Sequence, residues 1–239
     1  MNKTITSMIE YSKIISGFAK RNNRREIMIE IGNINEIMSD PKFKRDHLDI
    51  CSGDIFGILT DGTESKQKLC NIFGGLEIPN VISIKIDGID TKNDKYIELL
   101  RRKVGILSKD LFLLDDYNVE FNIILPKIFS EQQINHEKLY EIAKRYKIEE
   151  NLTYYPAELD KEKKVYTIFA RFIFCEYKII VADVDFLNEE QLFELITLCK
   201  TYNKILIFIT EQADLLQLSH TFSIIKRGKI EQIEQIYYK

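Results

Sequence analysis

One stretch of the chain has the order of a phosphate-binding loop but lacks several of its residue types. Residues 55–59 predict a buried strand, residues 60–65 a loop, and a helix follows from about Lys66. In the pattern G-x-x-x-x-G-K-[ST], glycines let backbone N–H groups close around phosphate oxygens, and the lysine adds a point charge. Here Thr60 and Ser65 replace both glycines, whereas Lys66 is kept. The loop alone is an incomplete match, so the rest of the chain decides between a coincidence and a degraded nucleotide site.

Composition argues against several other classes of function. The 239 residues carry a formal net charge of −3, which predicts no nucleic-acid partner, and 45% hydrophobic residues suffice for an ordinary core. No apolar run is long enough to cross a bilayer, and the first residues lack the apolar segment of a secretion signal. The three histidines are scattered and predict no metal site. The cysteines form no C-x-x-C pair and are interpreted as reduced core residues (Cys51, Cys70, Cys175 and Cys199).

Residues 1–26 predict a basic amphipathic helical extension. Ile5, Met8, Ile15 and Phe18 recur at helical spacing, and lysines and arginines predominate among the charged residues. Two interpretations stay open. The helix docks on an anionic membrane surface or a membrane partner, or it packs on its own domain with a solvated basic end.

The elements that must position the loop follow from strand and helix patterns. Residues 178–183 and 204–210 are nearly continuous apolar strands, with an amphipathic helix over residues 189–202 between them. Strands of this kind are buried on both faces, which predicts a parallel sheet covered by helices. Residues 110–165 are helix-like and richer in charge, and they predict an inserted helical subdomain.

Eight short segments follow one another in the order and spacing of one known family: Gly53–Leu59, Asn71–Pro79, Ile84–Asp90, Leu100–Ile106, Leu113–Pro126, Tyr155–Leu159, Val181–Asp183 and Ile225–Ile230. Over residues 27–239 the chain resembles the nucleotide-binding subunit of an ABC transporter, nearest the macrolide-export and lipoprotein-release branch. The resemblance implies an α/β fold, the P-loop NTPase fold of ABC ATPases. Such a fold has a mostly parallel central sheet, an antiparallel β part and an inserted helical subdomain, here at about residues 110–165.

The loop departs from the family at positions that contact phosphate and magnesium. Thr63 stands at a third glycine position, and a side chain there crowds the approach of backbone to phosphate. Glu64 adds a carboxylate, whose charge opposes a polyphosphate. Gln67 replaces the hydroxyl that binds Mg²⁺. For Lys66 a phosphate contact and a solvated helix start both stay open. The degenerate Walker A loop is Thr60, Asp61, Gly62, Thr63, Glu64, Ser65, Lys66, Gln67 and Lys68.

Two further family motifs are also changed. Lys109 occupies the Q-loop position, where the family has a glutamine that reaches metal and water. In the family the signature segment contacts the terminal phosphate of the nucleotide. Here Asp160 and Glu162 would face that phosphate with negative charge, which is unfavourable. We therefore interpret the segment as a solvated helix start. The residue that stacks on adenine has no clear counterpart, because residues 37–38 are aliphatic and Phe43 is out of register. The signature position comprises Leu159, Asp160, Lys161, Glu162 and Lys163.

The residues that the family uses for hydrolysis are absent. Asp183 keeps the Mg²⁺-binding acid of Walker B, but Val184 follows it where the catalytic glutamate belongs. A valine accepts no proton, so general-base catalysis, worth about 10²–10⁴-fold, is lost. Glu211 stands at the switch histidine. The resemblance therefore predicts no catalytic residue, weak ATP binding, and Mg²⁺ only together with ATP.

The resemblance also implies membrane partners. The first hypothesis is a degenerate ABC subunit that acts as a structural or regulatory partner of a permease, beside a second ABC ATPase subunit in a homo- or heterodimer. The second is a weak ATP binder that gates a transporter without hydrolysis, and the third is a soluble scaffold. The first two place the chain on the cytoplasmic face of the membrane. The predicted permease contact is Leu111, Phe112, Leu113 and Tyr117, for which packing in the subdomain core is the alternative.

Overall fold

The computed structural model describes residues 27–32, 47–77, 83–90, 93, 98, 102–226 and 229–235. Two features predicted above lie outside the described residues: the helix over residues 1–26, and the adenine-contact positions 37–38 with Phe43. Apolar positions 97, 99 and 100 also predict a helix over residues 94–103, and most of that range lies outside the described residues too.

The chain alternates strands and helices. The strands are β1 (Ile27–Gly32), β2 (His47–Cys51), β3 (Ile55–Thr60), β4 (Ser83–Ile86), β5 (Ile89–Asp90), β6 (Val104–Leu107), β7 (Ile179–Asp183), β8 (Ile205–Thr210), β9 (Thr221–Lys226) and β10 (Lys229–Gln235). The helices are α1 (Thr63–Phe73), α2 (Val119–Phe129), α3 (His136–Arg145), α4 (Lys161–Phe174) and α5 (Glu189–Thr201). Short 3₁₀ turns occur at Glu149–Asn151, Pro156–Glu158 and Ala213–Leu218.

The central sheet has the order β10-β9-β3-β8-β7-β6. Its β9-β3-β8-β7-β6 part is parallel, and β10 pairs with β9 in the antiparallel sense. The second sheet, β2-β1-β4-β5, is antiparallel throughout. Both the mostly parallel central sheet and the antiparallel part are thus present as predicted. The patterns at residues 223–225 and 230–238 allow either short strands or a terminal helix, and the described residues form the β9–β10 pair.

Two hydrophobic cores lie on opposite faces of the central sheet. Alternate residues of β3, β7 and β8 pack on one side against α1 and the antiparallel sheet, and on the other side against α2 to α5. This arrangement explains why β8 is buried along its whole length and reads as an uninterrupted apolar run. In the described part of the chain no helix is both long and apolar enough to span a membrane.

Helix α1 begins earlier than the sequence predicted. It starts at Thr63, whereas the pattern predicted a start at about Lys66. Gly62 precedes the helix with a φ of 110°, a left-handed value that favours glycine, and its carbonyl accepts the first helical bond from the Lys66 N–H at 3.2 Å. Gly62 thus turns the chain directly from β3 into the helix. As a consequence Lys66 lies in the first turn of α1.

The segment after Lys109 is held by a buried amide. Asn122 of α2 is fully buried, and its side chain donates to the carbonyls of Leu114, Tyr117 and Asn118 while accepting the N–H of Leu114. The next helix layer contributes Arg171 of α4, which donates to the carbonyl of Asn122 at 2.8 Å. These bonds fix the entry into the helical region relative to the sheet.

Candidate functional site

The predicted loop, Walker B acid and switch position meet at one edge of the central sheet. Because β3, β7 and β8 are parallel neighbours, their carboxyl ends lie side by side. The first turn of α1 follows β3 and carries Lys66. Asp183 is the last residue of β7, and Glu211 is the first residue after β8. The topology therefore brings together one lysine and two carboxylates that are far apart in sequence.

Lys66 is enclosed by carboxylates. Its side chain is 9% exposed, and its Nζ lies 2.9 Å from Asp185 Oδ2, 3.0 Å from Glu211 Oε1 and 3.6 Å from Asp183 Oδ1. The four side chains carry a formal charge of −2 when ionised. We call this group the Lys66 cluster. The lysine of the phosphate-binding pattern thus forms ion pairs within its own chain.

Asp185 is the residue of this cluster that the sequence analysis missed. Besides Lys66, its carboxylate accepts hydrogen bonds from the hydroxyl of Thr210, from the N–H of Glu211 at 2.9 Å and from the side chain of Gln212 at 3.3 Å. It therefore joins α1 to the turn after β8. The available signal was the pair of acids that flank Val184 at the end of an apolar strand.

Burial and hydrogen bonds shift the pKa values of Lys66, Asp183 and Asp185 in different directions. Burial lowers the pKa of Lys66, but its bonds to Asp185 and Glu211 outweigh that effect and raise the pKa above the ordinary lysine value. Burial raises the pKa of Asp185, yet hydrogen bonds from Thr210 and Lys66 hold it below the ordinary value. Burial raises the pKa of Asp183, and its contacts to Asp185 N–H and Lys66 do not reverse the shift. The Lys66–Asp185 pair is accordingly ionised at neutral pH.

These shifts predict an acid-sensitive contribution of Asp185 to stability. Because its pKa is depressed in the folded chain, the stabilisation is present above the ordinary value of 3.8 and is lost as the pH falls below it. We expect the difference in free energy of unfolding between the wild type and Asp185→Asn to be smaller at pH 3 than at pH 6. Urea denaturation at both pH values measures it. A difference that grows toward pH 3 would contradict the assigned ionisation.

Val184, at the position of the family's catalytic glutamate, faces the hydrophobic core. Val184 is 2% exposed and belongs to the core between the sheet and α2 to α5. Its N–H donates to the carbonyl of Ile209 at 3.1 Å, which continues the pairing of β7 with β8 past Asp183. In the part of the chain that the structure describes, no group of three or more His, Cys, Asp or Glu side chains is arranged to hold a metal ion.

Most other loop residues are exposed, and Thr63 and Gln67 line a cavity beside the Lys66 cluster. Gln67 donates to Asn71 at 3.1 Å along the helix, and Lys68 lies 3.8 Å from Glu77. Asp61, Thr63 and Glu64 are exposed, Gly62 and Ser65 are half-buried, and Thr60 is buried with no hydrogen-bond partner for its hydroxyl among the described residues. The two residues that keep the family's types, Lys66 and Asp183, are paired with each other at 3.6 Å.

A cavity of about 400 Å³ adjoins the cluster. Ser108 and the exposed Lys109 line it together with Lys66 and Asp183, so the Q-loop position does face the predicted site. The hydroxyl of Ser108 is buried and has no hydrogen-bond partner among the described residues. The cavity therefore retains a polar wall beside Asp183.

The signature position forms a capped helix start. Asp160 is the N-cap of α4 and accepts the Lys163 N–H at 2.7 Å, which agrees with its interpretation as a helix start. Leu159 packs in the core, and Glu162 is exposed. The side chain of Lys161 donates to the carbonyl of Phe186 at 2.9 Å. This bond ties the start of α4 to the loop after β7 within the same chain.

The four residues of the predicted permease contact do not share one surface. Leu111 is 8% exposed and packs in the core, and Leu113 is half-buried against it. Phe112 and Tyr117 are 46% and 45% exposed. Leu111 thus packs in the core, as the alternative interpretation expected. Of the four predicted contact residues, the two aromatic ones, Phe112 and Tyr117, are exposed enough to meet a permease.

A larger apolar groove lies between the end of α1, β6 and the end of α2. Its volume is about 720 Å³. Two residues that the sequence analysis missed stand at it, Leu76, 68% exposed, and Phe129, 79% exposed. The remaining lining includes Glu98, Arg102, Val104, Ile106, Leu125, Pro126 and Tyr177. We call it the α1–α2 groove.

Solved structures with this fold are ABC cassettes. The dimeric structure of MJ0796, a bacterial ABC transporter cassette, matches with a TM-score of 0.70 at 20% identity and covers 89% of this chain and 100% of that one. CbiO1 from Clostridium perfringens, part of an ABC transporter complex, matches with a TM-score of 0.68 at 17% identity over 88% and 89% of the two chains. The fold is therefore that of an ABC ATPase, as the sequence predicted.

Sequence relatives point to the same class. The lipoprotein-releasing system ATP-binding protein LolD of Buchnera aphidicola is 31% identical over 159 residues, which are 62% of this chain and 69% of that protein. The methionine import ATP-binding protein MetN of Clostridium tetani is 26% identical over 221 residues, 87% and 70% of the two chains. No protein-family model matches. This chain belongs to the ABC transporter ATP-binding proteins, and the LolD match confirms the predicted lipoprotein-release branch.

Proposed function

We propose that this chain is a non-hydrolysing ABC transporter subunit that acts as a structural or regulatory partner of a membrane permease. The observation that carries the proposal is the Lys66 cluster, in which the phosphate-binding lysine is paired with Asp183, Asp185 and Glu211. The subunit binds nucleotide weakly, and magnesium enters only with nucleotide.

Two positions, Val184 and Glu211, lack the groups that hydrolysis requires. Hydrolysis needs a group that orients and deprotonates water next to the terminal phosphate. Val184 has no such group and packs in the core, and the switch position carries Glu211, whose carboxylate is bonded to Lys66. Both losses act on the same transition state, so their effects need not add. Each alone removes orders of magnitude in rate.

Weak nucleotide binding is argued from charge. A polyphosphate that approaches Lys66 meets three carboxylates within 3.6 Å of its ammonium group, so a net negative site faces a negative ligand. The relatives are named ATP-binding proteins, and a structure of MJ0796 was solved bound to ADP and phosphate. We infer that the family's ligand class is kept while its affinity is reduced.

The permease is proposed to occupy the α1–α2 groove. Relatives serve a lipoprotein-releasing system and methionine import, which are membrane transport tasks. The groove presents Leu76 and Phe129 to solvent, and the rim carries the paired charges of Glu98 and Arg102 at 2.7 Å. An amphipathic helix with an apolar face and polar flanks fits this chemistry. The chain then lies on the cytoplasmic face of the membrane, beside a second ABC subunit of the same or another kind.

We expect Phe129→Asp to release the chain from membranes of the cell that produces it. Phe129 is 79% exposed, so its replacement should change the free energy of unfolding by no more than about 0.5 kcal/mol. Loss of a central aromatic anchor costs about 2 kcal/mol or more in binding, which is roughly 30-fold in affinity. Membrane fractionation of the tagged chain measures the effect.

Two matched variants show which surface is used. Tyr140→Asp alters an exposed ring on α3, 54% exposed and outside the groove, and should leave the membrane fraction unchanged. Phe112→Asp tests the surface that the sequence predicted. Release by Phe112→Asp but not by Phe129→Asp would move the contact to that surface. Full retention of both folded variants would count against a permease partner on either surface.

A further inference from the structure

Asp185 occupies a junction between the phosphate-binding loop and the turn after β8. Its Oδ2 accepts from Lys66 Nζ and from the Glu211 N–H, both at 2.9 Å, and its Oδ1 accepts from the Thr210 hydroxyl and from Gln212. The Asp185 side chain is 17% exposed. One carboxylate thus holds the lysine of α1 and three consecutive residues, Thr210 to Gln212, at the end of β8 and just after it.

We propose that Asp185 is an autoinhibitory residue that keeps Lys66 unavailable to phosphate and holds the site in a closed, ligand-free state. The inference rests on the proposed function, since it takes the loop at residues 60–68 to be a nucleotide site without turnover. It adds the regulation of that site. A polyphosphate reaches Lys66 only when the Lys66–Asp185 bond breaks, and the same carboxylate also holds residues 210–212.

The bond geometry indicates why Asp185 has a larger effect than its neighbours. Glu211 also contacts Lys66, at 3.0 Å, but its side chain is 44% exposed, and solvent-exposed ion pairs are weak. Asp183 is farther away, at 3.6 Å. Only Asp185, among the described residues that contact Lys66, combines a 2.9 Å bond with bonds to the turn after β8. The energetic barrier to phosphate therefore resides mainly at this carboxylate.

Asp185→Asn is the variant that tests the proposal. An asparagine keeps one oxygen for Thr210 but replaces the charge next to Lys66 by a neutral amide. Hydrogen bonds to charged groups are stronger than those between neutral groups, so removing this competitor for Lys66 should tighten binding of phosphate about tenfold or more. Calorimetric titration with inorganic tripolyphosphate, and separately with ATP and Mg²⁺, measures the dissociation constants at fixed ionic strength.

Three control variants show whether a gain in affinity comes from the loss of any nearby charge, from a weaker contact to Lys66, or from Lys66 itself. Asp214→Asn removes the same charge from an exposed position nearby and should leave binding at the wild-type level. Glu211→Gln is at an exposed side chain, should fold normally, and should tighten binding by about twofold, since exposed pairs are worth less. In Lys66→Met/Asp185→Asn the gain should disappear, because the lysine supplies the attraction.

Each outcome bears on one claim. Tighter binding in Asp185→Asn that depends on Lys66 supports autoinhibition. Wild-type affinity in a folded Asp185→Asn chain overturns it, whatever the wild type does with ATP. Should Asp185→Asn not fold, Asp185→Ser takes its place, and wild-type affinity in that folded variant overturns the proposal. Hydrolysis by the wild type overturns the proposed function instead, and a phosphate-release assay on the same samples reports it separately.

Discussion

Replacing Lys66 by methionine should destabilise this chain rather than merely abolish ligand binding. Methionine keeps the length and the apolar stem of lysine but removes the cation that three carboxylates share. Breaking a buried ion pair from one side costs about 3–5 kcal/mol, because the remaining charge is left uncompensated. Glu211 is partly solvated, so we place the expected loss at the lower end, about 3 kcal/mol.

Thermal and urea unfolding measure this loss. For a chain of this size a loss of about 3 kcal/mol lowers the Tm by roughly 6–12 °C. The matched control is Lys68→Met, two residues further along α1, where the side chain is 64% exposed and pairs only loosely with Glu77 at 3.8 Å. That variant should stay within about 0.5 kcal/mol of the wild type. Equal stability of Lys66→Met and the wild type would show that the lysine is not structurally paired.

Val184→Glu should destabilise the chain strongly and should not restore ATP hydrolysis. The substitution puts the family's catalytic residue type back at its position, yet Val184 is 2% exposed and packs in the core. Burying an unpaired carboxylate is expected to cost about 4 kcal/mol or more. The new charge would also add to a cluster that is already net negative. We expect a strongly lowered Tm and no phosphate release above the wild-type level.

Val184→Gln serves as the control for size. Glutamine has nearly the same volume as glutamate and no charge, so the difference between the two variants isolates the buried carboxylate. We expect Val184→Gln to be the more stable of the two at pH 7, and the gap to close as the pH falls and the glutamate becomes protonated. A folded Val184→Glu chain that hydrolyses ATP would contradict the packing described for this position.

The central strands could be predicted because their burial follows directly from residue type. The apolar runs predicted at residues 55–59, 178–183 and 204–210 match β3, β7 and β8 to within one residue at each end. A strand buried on both faces admits almost only apolar side chains, so the apolar run in the sequence shows where the strand begins and ends. The start of α1 was predicted three residues late. It depends on the φ of Gly62, which periodicity does not encode.

The candidate site was predicted only as far as the family pattern reaches. The resemblance led to Lys66, Asp183 and Glu211, which the parallel sheet does bring together. The pairing of Lys66 with Asp185 depends on how three loops approach one another at the sheet edge. Local sequence carries no record of that approach. For the same reason Phe129 was missed, since nothing in the α2 sequence distinguishes an apolar residue on a groove from one in the core.

Phosphate release by the purified 239-residue chain at millimolar ATP and Mg²⁺ tests the central claim most directly. The wild type is compared with Lys66→Met and with a buffer blank, at a temperature where both proteins are folded. The account predicts that release by both proteins is at the level of the blank, because no residue activates water and the lysine is held by carboxylates. ATP turnover by the wild type that disappears in Lys66→Met would show a working nucleotide site and contradict the account.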